Sequence, residues 1–407
     1  VVLQSGVVTV DGNLENSGTI IFSNPTGGSL RTELELNQGL LTNNADGIIR
    51  VQTGGDTLAF LHEANVANVG AIHVESGRFG YSGFFTNRGD ISVESGAVFR
   101  VTQVGSEFYQ EDGRLDVADR LSFNASLFAY NGGEVDGVVD LQDTTLSFGD
   151  RTAGSSTFLL TGSNTLEGDV PAGVTLQLES QTPGILSRLT ANQSFSNHGV
   201  IQLGTGVSAG NIDLIVNGSR TFTNAADGTI TIEGAGGTRN LLAALNNQGT
   251  LASSVNWNLG RTGTSTELHR NRGVMVTNET VNIRGLSFLN ESGGVIEATG
   301  TWNLNSTAFT SSGIFSPGGQ GIAASWTITG SLTLTSLSEI QCDLGGTQAG
   351  AEFDQINVSG VVDLGGVLHC ELTDGFVPII GDSHLIVTYS TATSDFDAIT
   401  GLDSGVT

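Results

Sequence analysis

Apolar and polar residues alternate along this chain in short bursts, and a glycine precedes most of them. Gly70-Ala-Ile-His-Val-Glu75, Gly89-Asp-Ile-Ser-Val-Glu94 and Gly228-Thr-Ile-Thr-Ile-Glu233 show the pattern. A period of two is the mark of a strand with one buried face. No stretch carries apolar residues at helical spacing, and the 58 glycines penalise helices throughout. The glycine belongs to a recurring phrase: an Asn, a residue or two, the Gly, and an aliphatic two positions later. Tight copies end on Gly18, Gly70, Gly89, Gly199, Gly249 and Gly273, and looser ones on Gly47, Gly228 and Gly294. Asn and Gly tolerate a left-handed backbone, so the phrase reads as a turn.

From Gly18 the glycines step by 29, 23, 19 and 24 residues to Gly113, and from Gly199 by 29, 21, 24, 21 and 19 to Gly313. A unit of about 22 residues with two or three short strands cannot bury its own apolar face, so it must stack on the next copy. The expected fold is all-β: a single right-handed parallel β-helix (β-solenoid) of roughly 18 coils. The phrase is clear to about residue 120, blurs over 121–190 as divergent coils, and is clean again over 191–313. Ser316-Pro-Gly-Gly-Gln-Gly321 then breaks the period. The chain is therefore read as a repeat array over 1–315 and a C-terminal solenoid segment over 316–407.

The register aligns further residues. Eight positions after Gly249, Gly273 and Gly294 stand Trp257, Val281 and Trp302, and Trp326 is expected to continue this column beyond the break. Inside the coils the column is an aromatic stack; outside, it is a platform for sugar rings. The shared parity with Leu259 and Leu304 favours the interior. Cys342 and Cys370 stand in matched contexts, Ile-Gln-Cys-Asp-Leu and Leu-His-Cys-Glu-Leu. They read as equivalent positions on adjacent coils, hence a disulfide candidate or two stacked thiols.

Charge narrows the partners. The formal net charge is −26, there is no Lys, and none of the 15 Arg lies beyond Arg284. Nucleic acid and anionic membrane are poor partners for such a surface. Divalent cations are a possible partner, although the Asp-rich calcium repeat is absent. No apolar run reaches the ~18 residues of a membrane-spanning helix. The chain starts at Val1 without a visible signal peptide, as expected of a processed or partial product.

Candidate chemistry is sparse. Glu33 and Glu35 share a strand face, and the six His residues show no metal-ligand spacing. His369 neighbours Cys370 but faces the other way on a strand. No nucleophile elbow or phosphate loop is present. Sequons stand at Asn124, Asn192, Asn217, Asn278, Asn290, Asn305 and Asn357. No catalytic, cofactor or metal residues are assigned, and no cofactor is expected.

The segment 316–403 resembles the terminal coils of bacterial surface β-solenoids. These are the passenger regions of autotransporters and filamentous-haemagglutinin-like proteins. The resemblance rests on Ser316-Pro-Gly-Gly, Thr327-Ile-Thr-Gly-Ser-Leu-Thr-Leu334, Asp343-Leu-Gly-Gly, Phe353-Asp-Gln-Ile-Asn-Val-Ser-Gly360 and Gly375-Phe-Val-Pro378. It implies an exported protein, extracellular or at the cell surface. The expected function is structural: a non-enzymatic subunit or shaft of an extracellular fibre or surface layer. Its partner would be itself, joined head to tail through open strand edges at both ends. One alternative is an adhesin binding surface glycans through loops 103–113 and 316–325. Another is a polysaccharide lyase or hydrolase.

Overall fold

The computed structural model describes residues 1–407 apart from 25–30, 38, 55–56, 102, 119, 150–153, 264–265 and 402–407. No helix occurs among the described residues, and every strand ladder is parallel. The fold is a parallel β-solenoid. It divides into two compact units: residues 1–180 with 186–192, and 181–185 with 193–407. The expected C-terminal segment 316–407 lies inside the second unit.

In the first unit the coils as far as Phe148 run through three faces. Thr19–Asn24, Thr32–Glu35 and Leu40–Asn43 form one coil, and Ile48–Thr53, Leu58–His62 and Asn65–Asn68 stack on it. The first face holds seven strands and ends at Glu134–Asp136. Later coils in this unit, over residues 156–191, carry two strands, as in Ser156–Thr161 with Ser163–Glu167, and the first face is missing from them. In the second unit Phe195–Asn197, Val200–Leu203 and Asn211–Val216 begin an equivalent three-faced series.

Alternation sets which side chains meet inside. The aliphatic after each phrase glycine forms a column: Ile20, Ile49, Ile72, Ile91, Leu115 and Val135 stand in register in the first unit. In the second, Ile201, Ile230, Leu251, Met275 and Ile296 do the same. Aromatic rings fill the space between faces. Phe85, Phe108 and Phe128 stack at centroid spacings of 5.2 and 5.3 Å.

The phrase makes turns for a reason other than the expected one. Of its glycines, Gly47, Gly70, Gly89, Gly228, Gly249, Gly273 and Gly294 all lie outside the left-handed region. What they answer to is the coil below. A Cβ on Gly89 would sit 2.1 Å from the Gly70 carbonyl oxygen, and one on Gly273 would sit 2.0 Å from that of Gly249. Backbone stacks on backbone at this corner, and no side chain fits between.

The Asn is equally specific. Asn16, Asn43, Asn68 and Asn87 form a ladder in which each Nδ2 donates to the next Oδ1 at 2.7 Å. Gln110 accepts from Asn87 at 2.9 Å and ends the series, because Tyr130 and Phe148 occupy the next two positions. In the second unit Asn197, Asn224, Asn247, Asn271 and Asn290 repeat the arrangement at 2.8–2.9 Å, and Asn290 donates to Ser311 Oγ at 3.2 Å. The second amide hydrogen goes to backbone, as from Asn224 to the Gly228 and Thr250 carbonyls. These side chains are buried, and unpaired amides there would be costly. An outer ladder on another face of this unit links Asn303, Asn282, Asn258, Asn240 and Asp213 at 2.7–2.9 Å.

Substituting Gly273→Ala is expected to cost roughly 2–4 kcal/mol, since the clash is with backbone that cannot turn aside. Gly206→Ala, at a loop position with open space around it, is expected to cost under about 1 kcal/mol. Urea midpoints of the two variants check the difference.

Candidate functional site at the loop bracket and cysteine pair

The break after Phe315 is a loop held from below. Ser316–Ala324 leaves strand Ile314–Phe315 and returns at Ser325–Thr329. Two carboxylates bracket it. Asp343 Oδ2 accepts from the Gly321 amide at 2.7 Å, and Asp354 Oδ1 accepts from the Ala324 amide at 2.7 Å. The other Asp354 oxygen accepts from the Asp343 amide at 2.9 Å, which ties the two clamps together. Both aspartates are buried. Burial pushes the Asp343 carboxyl up, and its two backbone donors oppose that. Burial likewise pushes Asp354 up to about 7; two backbone donors pull it down, and the Asp343 charge adds to the rise.

Beside the loop lies a recess of about 110 Å³ with Gln320, Glu339, Gln341, Asp343, His369 and Glu371 in its walls. Gln320 reaches Glu371 at 3.4 Å. His369 shares a hydrogen bond of 2.9 Å with Thr400 Oγ1 and faces out, away from the inward Cys370. Among the described residues no three His, Cys, Asp or Glu side chains are grouped to hold a metal ion.

Cys342 and Cys370 lie directly opposite one another on neighbouring strands Glu339–Leu344 and Val367–Leu372. Both are buried free thiols. Their mutual hydrogen bond and burial push the Cys342 thiol up, and the nearby Asp354 and Asp343 charges add to this.

The tryptophans are core residues, each no more than 1% exposed. Trp257, Val281 and Trp302 are in register as expected. Trp326 departs from the column: it pairs with Gly300, and Ile328 takes the place opposite Trp302. The strand returns from the loop two residues out of step. Trp326 packs edge-on against Trp302 at 5.1 Å and Phe315 at 5.0 Å.

Other candidates have settled surroundings. Glu33 and Glu35 share an outer face with His62, whose Nδ1 is 3.4 and 3.8 Å from them. Glu35 also accepts from Thr9 Oγ1. His269 is buried: its Nδ1 accepts from the Leu245 amide and its Nε2–H donates to the Arg284 carbonyl, and burial holds its pKa low. Segment 103–113 contains strand Glu107–Gln110, an ordinary rung of the third face and not an inserted loop. Sequon Asn290 is a buried ladder member. Larger concavities occur on outer faces, about 350 Å³ beside Arg100 and Asp140 and about 380 Å³ beside Arg270 and Asn246. Arg270 in the latter is paired with Glu291.

One residue drew no notice in the sequence. Arg239 is 1% exposed, and its guanidinium donates to the carbonyls of Ser208, Gly210, Glu233 and Thr238. It pins two turns together, and Gly234 leaves the space for it. The nearest signal is the group of three glycines, Gly234, Gly236 and Gly237. The chain matches no family model and no curated protein.

The Asp354 shift has a sign. Its folded value lies above the ordinary value of about 3.9, so its contribution to stability is complete below about pH 4 and is lost as pH rises through 7. Thermal unfolding midpoints are expected to fall between about pH 4 and pH 8, and Asp354→Asn to remove the part of that fall that lies between about pH 4 and 7. Matching pH profiles for the two proteins would contradict the assignment.

Proposed function

We propose that the protein is a non-catalytic structural element of an extracellular fibre or cell-surface layer. The observation that carries this reading is where the polar side chains of the repeat are spent. The Asn ladders bind coil to coil inside, and an amide ladder repeats the pattern outside. Outer charges are likewise used between rungs: Arg50 pairs with Glu75, Arg114 with Asp136, and Glu291 takes both Arg270 and Arg272. A chain built this way gives its hydrogen-bonding capacity to its own continuity.

Two further points support the reading. The net charge of −26 opposes sideways association of parallel strands. The resemblance of 316–403 to bacterial surface solenoids favours export. Head-to-tail self-association belongs to the proposal, because parallel rungs offer unpaired edge groups wherever a stack stops. Sedimentation velocity and negative-stain microscopy of the full chain at rising concentration test it. Lengthwise oligomers that grow with concentration are expected. A species of constant single-chain mass that binds a glycan array would favour the adhesin reading and overturn this one.

A further inference from the structure

We propose that Cys342 and Cys370 are a disulfide-forming pair, a covalent staple between two adjacent rungs beneath the loop bracket. The inference goes beyond the structural role above and does not depend on it.

Register carries the argument. Six consecutive residues of Glu339–Leu344 pair without a slip with six of Val367–Leu372, and the cysteines are opposite members of that ladder. Ile340 faces Leu368 before them and Leu344 faces Leu372 after them, so neither strand can shift without moving apolar residues out of the core. Parallel strands lie about 4.8 Å apart, inside the 4.4–6.8 Å range that a disulfide spans between Cα atoms. Both side chains point inward and both are 2% exposed, with the Cys342 thiol also within 3.8 Å of the Asp343 and Asp354 carbonyls. The chain has no other cysteine, so an intramolecular bond has one possible pairing.

The place gives the bond a consequence. The stacked aromatic residues of the second unit reach Trp326, and the next two rungs hold Ile340, Cys342, Leu368 and Cys370 in the equivalent interior. The residue after each cysteine serves the loop: Asp343 holds Gly321, and Glu371 accepts from Gln320. A bond between the sulfurs fixes the two rungs that carry these contacts.

The oxidant is a small-molecule disulfide. One cysteine thiolate attacks a sulfur of that molecule, forms a mixed disulfide and expels a thiolate, which takes up a proton. The second cysteine thiolate then attacks the protein sulfur of the mixed disulfide and expels the other small thiol. Two protein thiols become one S–S bond, and the small disulfide is reduced to two thiols. Burial of both sulfurs means that exchange proceeds while the terminal rungs are open and is slow once they close.

The test uses the full chain, prepared with both thiols reduced and incubated with oxidised glutathione in sub-denaturing urea that opens the terminal rungs. Excess iodoacetamide is then added under full denaturation, and intact mass and peptide mapping are read. The expected product is a single chain lighter by two hydrogens, with no alkylation and with the Cys342 and Cys370 peptides joined. The oxidised form is expected to melt roughly 5 °C above the reduced form. A Cys342→Ala control should instead retain glutathione on Cys370 or be alkylated there. Recovery of two alkylated cysteines, two glutathione adducts or chain-to-chain links from the unaltered protein would overturn the proposal.

Discussion

A buried amide must find a partner for every donor and acceptor it carries, and in this protein the partner is its own copy one coil away. The Nδ2 to Oδ1 contacts of 2.7–2.9 Å from Asn16 to Asn87 and from Asn197 to Asn290 repeat with the strand spacing. A missing member leaves two buried groups unsatisfied, one above and one below. This constraint permits irregular coil lengths of 19 to 29 residues, because slack is taken up at other corners while the amide corner stays in step. The same tight stacking forbids a side chain on the following glycine.

Where the ladder stops, the coil changes character. After Gln110 the position is taken by Tyr130 and Phe148, and the last strand of the first face, Glu134–Asp136, lies between those two. After Asn290 it passes to Ser311 and then Leu334, and the loop Ser316–Ala324 follows. The two ladders thus mark the regular stretches, and the individual features gather beyond them or between their members. Asp343 and Asp354 secure one interruption, and Arg239 secures another with four carbonyl acceptors. Each is a buried charge held by backbone groups, a costly arrangement that makes sense where the repeat no longer supplies its own partners.

Much of the fold was legible because a period of two and a recurring phrase are local signals. The columns at Ile20 and Ile201, the inward Trp257 and Trp302, and the facing cysteines all follow from counting. The role of the phrase did not. A turn and a hydrogen-bonded ladder leave the same Asn and Gly in a single sequence, and only the neighbouring coil distinguishes them. Trp326 shows the limit of counting across an interruption, since a loop can return its strand two residues out of step without any local mark. The loop bracket was hidden for a related reason. Asp343 and Asp354 lie 22 and 30 residues from the amides they hold, and isolated aspartates in an acidic chain carry no pattern.

The ladder's part in holding coil to coil is the claim on which the rest stands. A double-mutant cycle on Asn224 and Asn247, read by urea unfolding with each replaced singly and together by Ala, measures it most directly. Adjacent ladder members should be coupled, with the double variant departing from additivity by about 1 kcal/mol or more. Additivity to within about 0.3 kcal/mol, with each single variant costing little, would show that the amides are passengers in a stack held by its apolar columns alone.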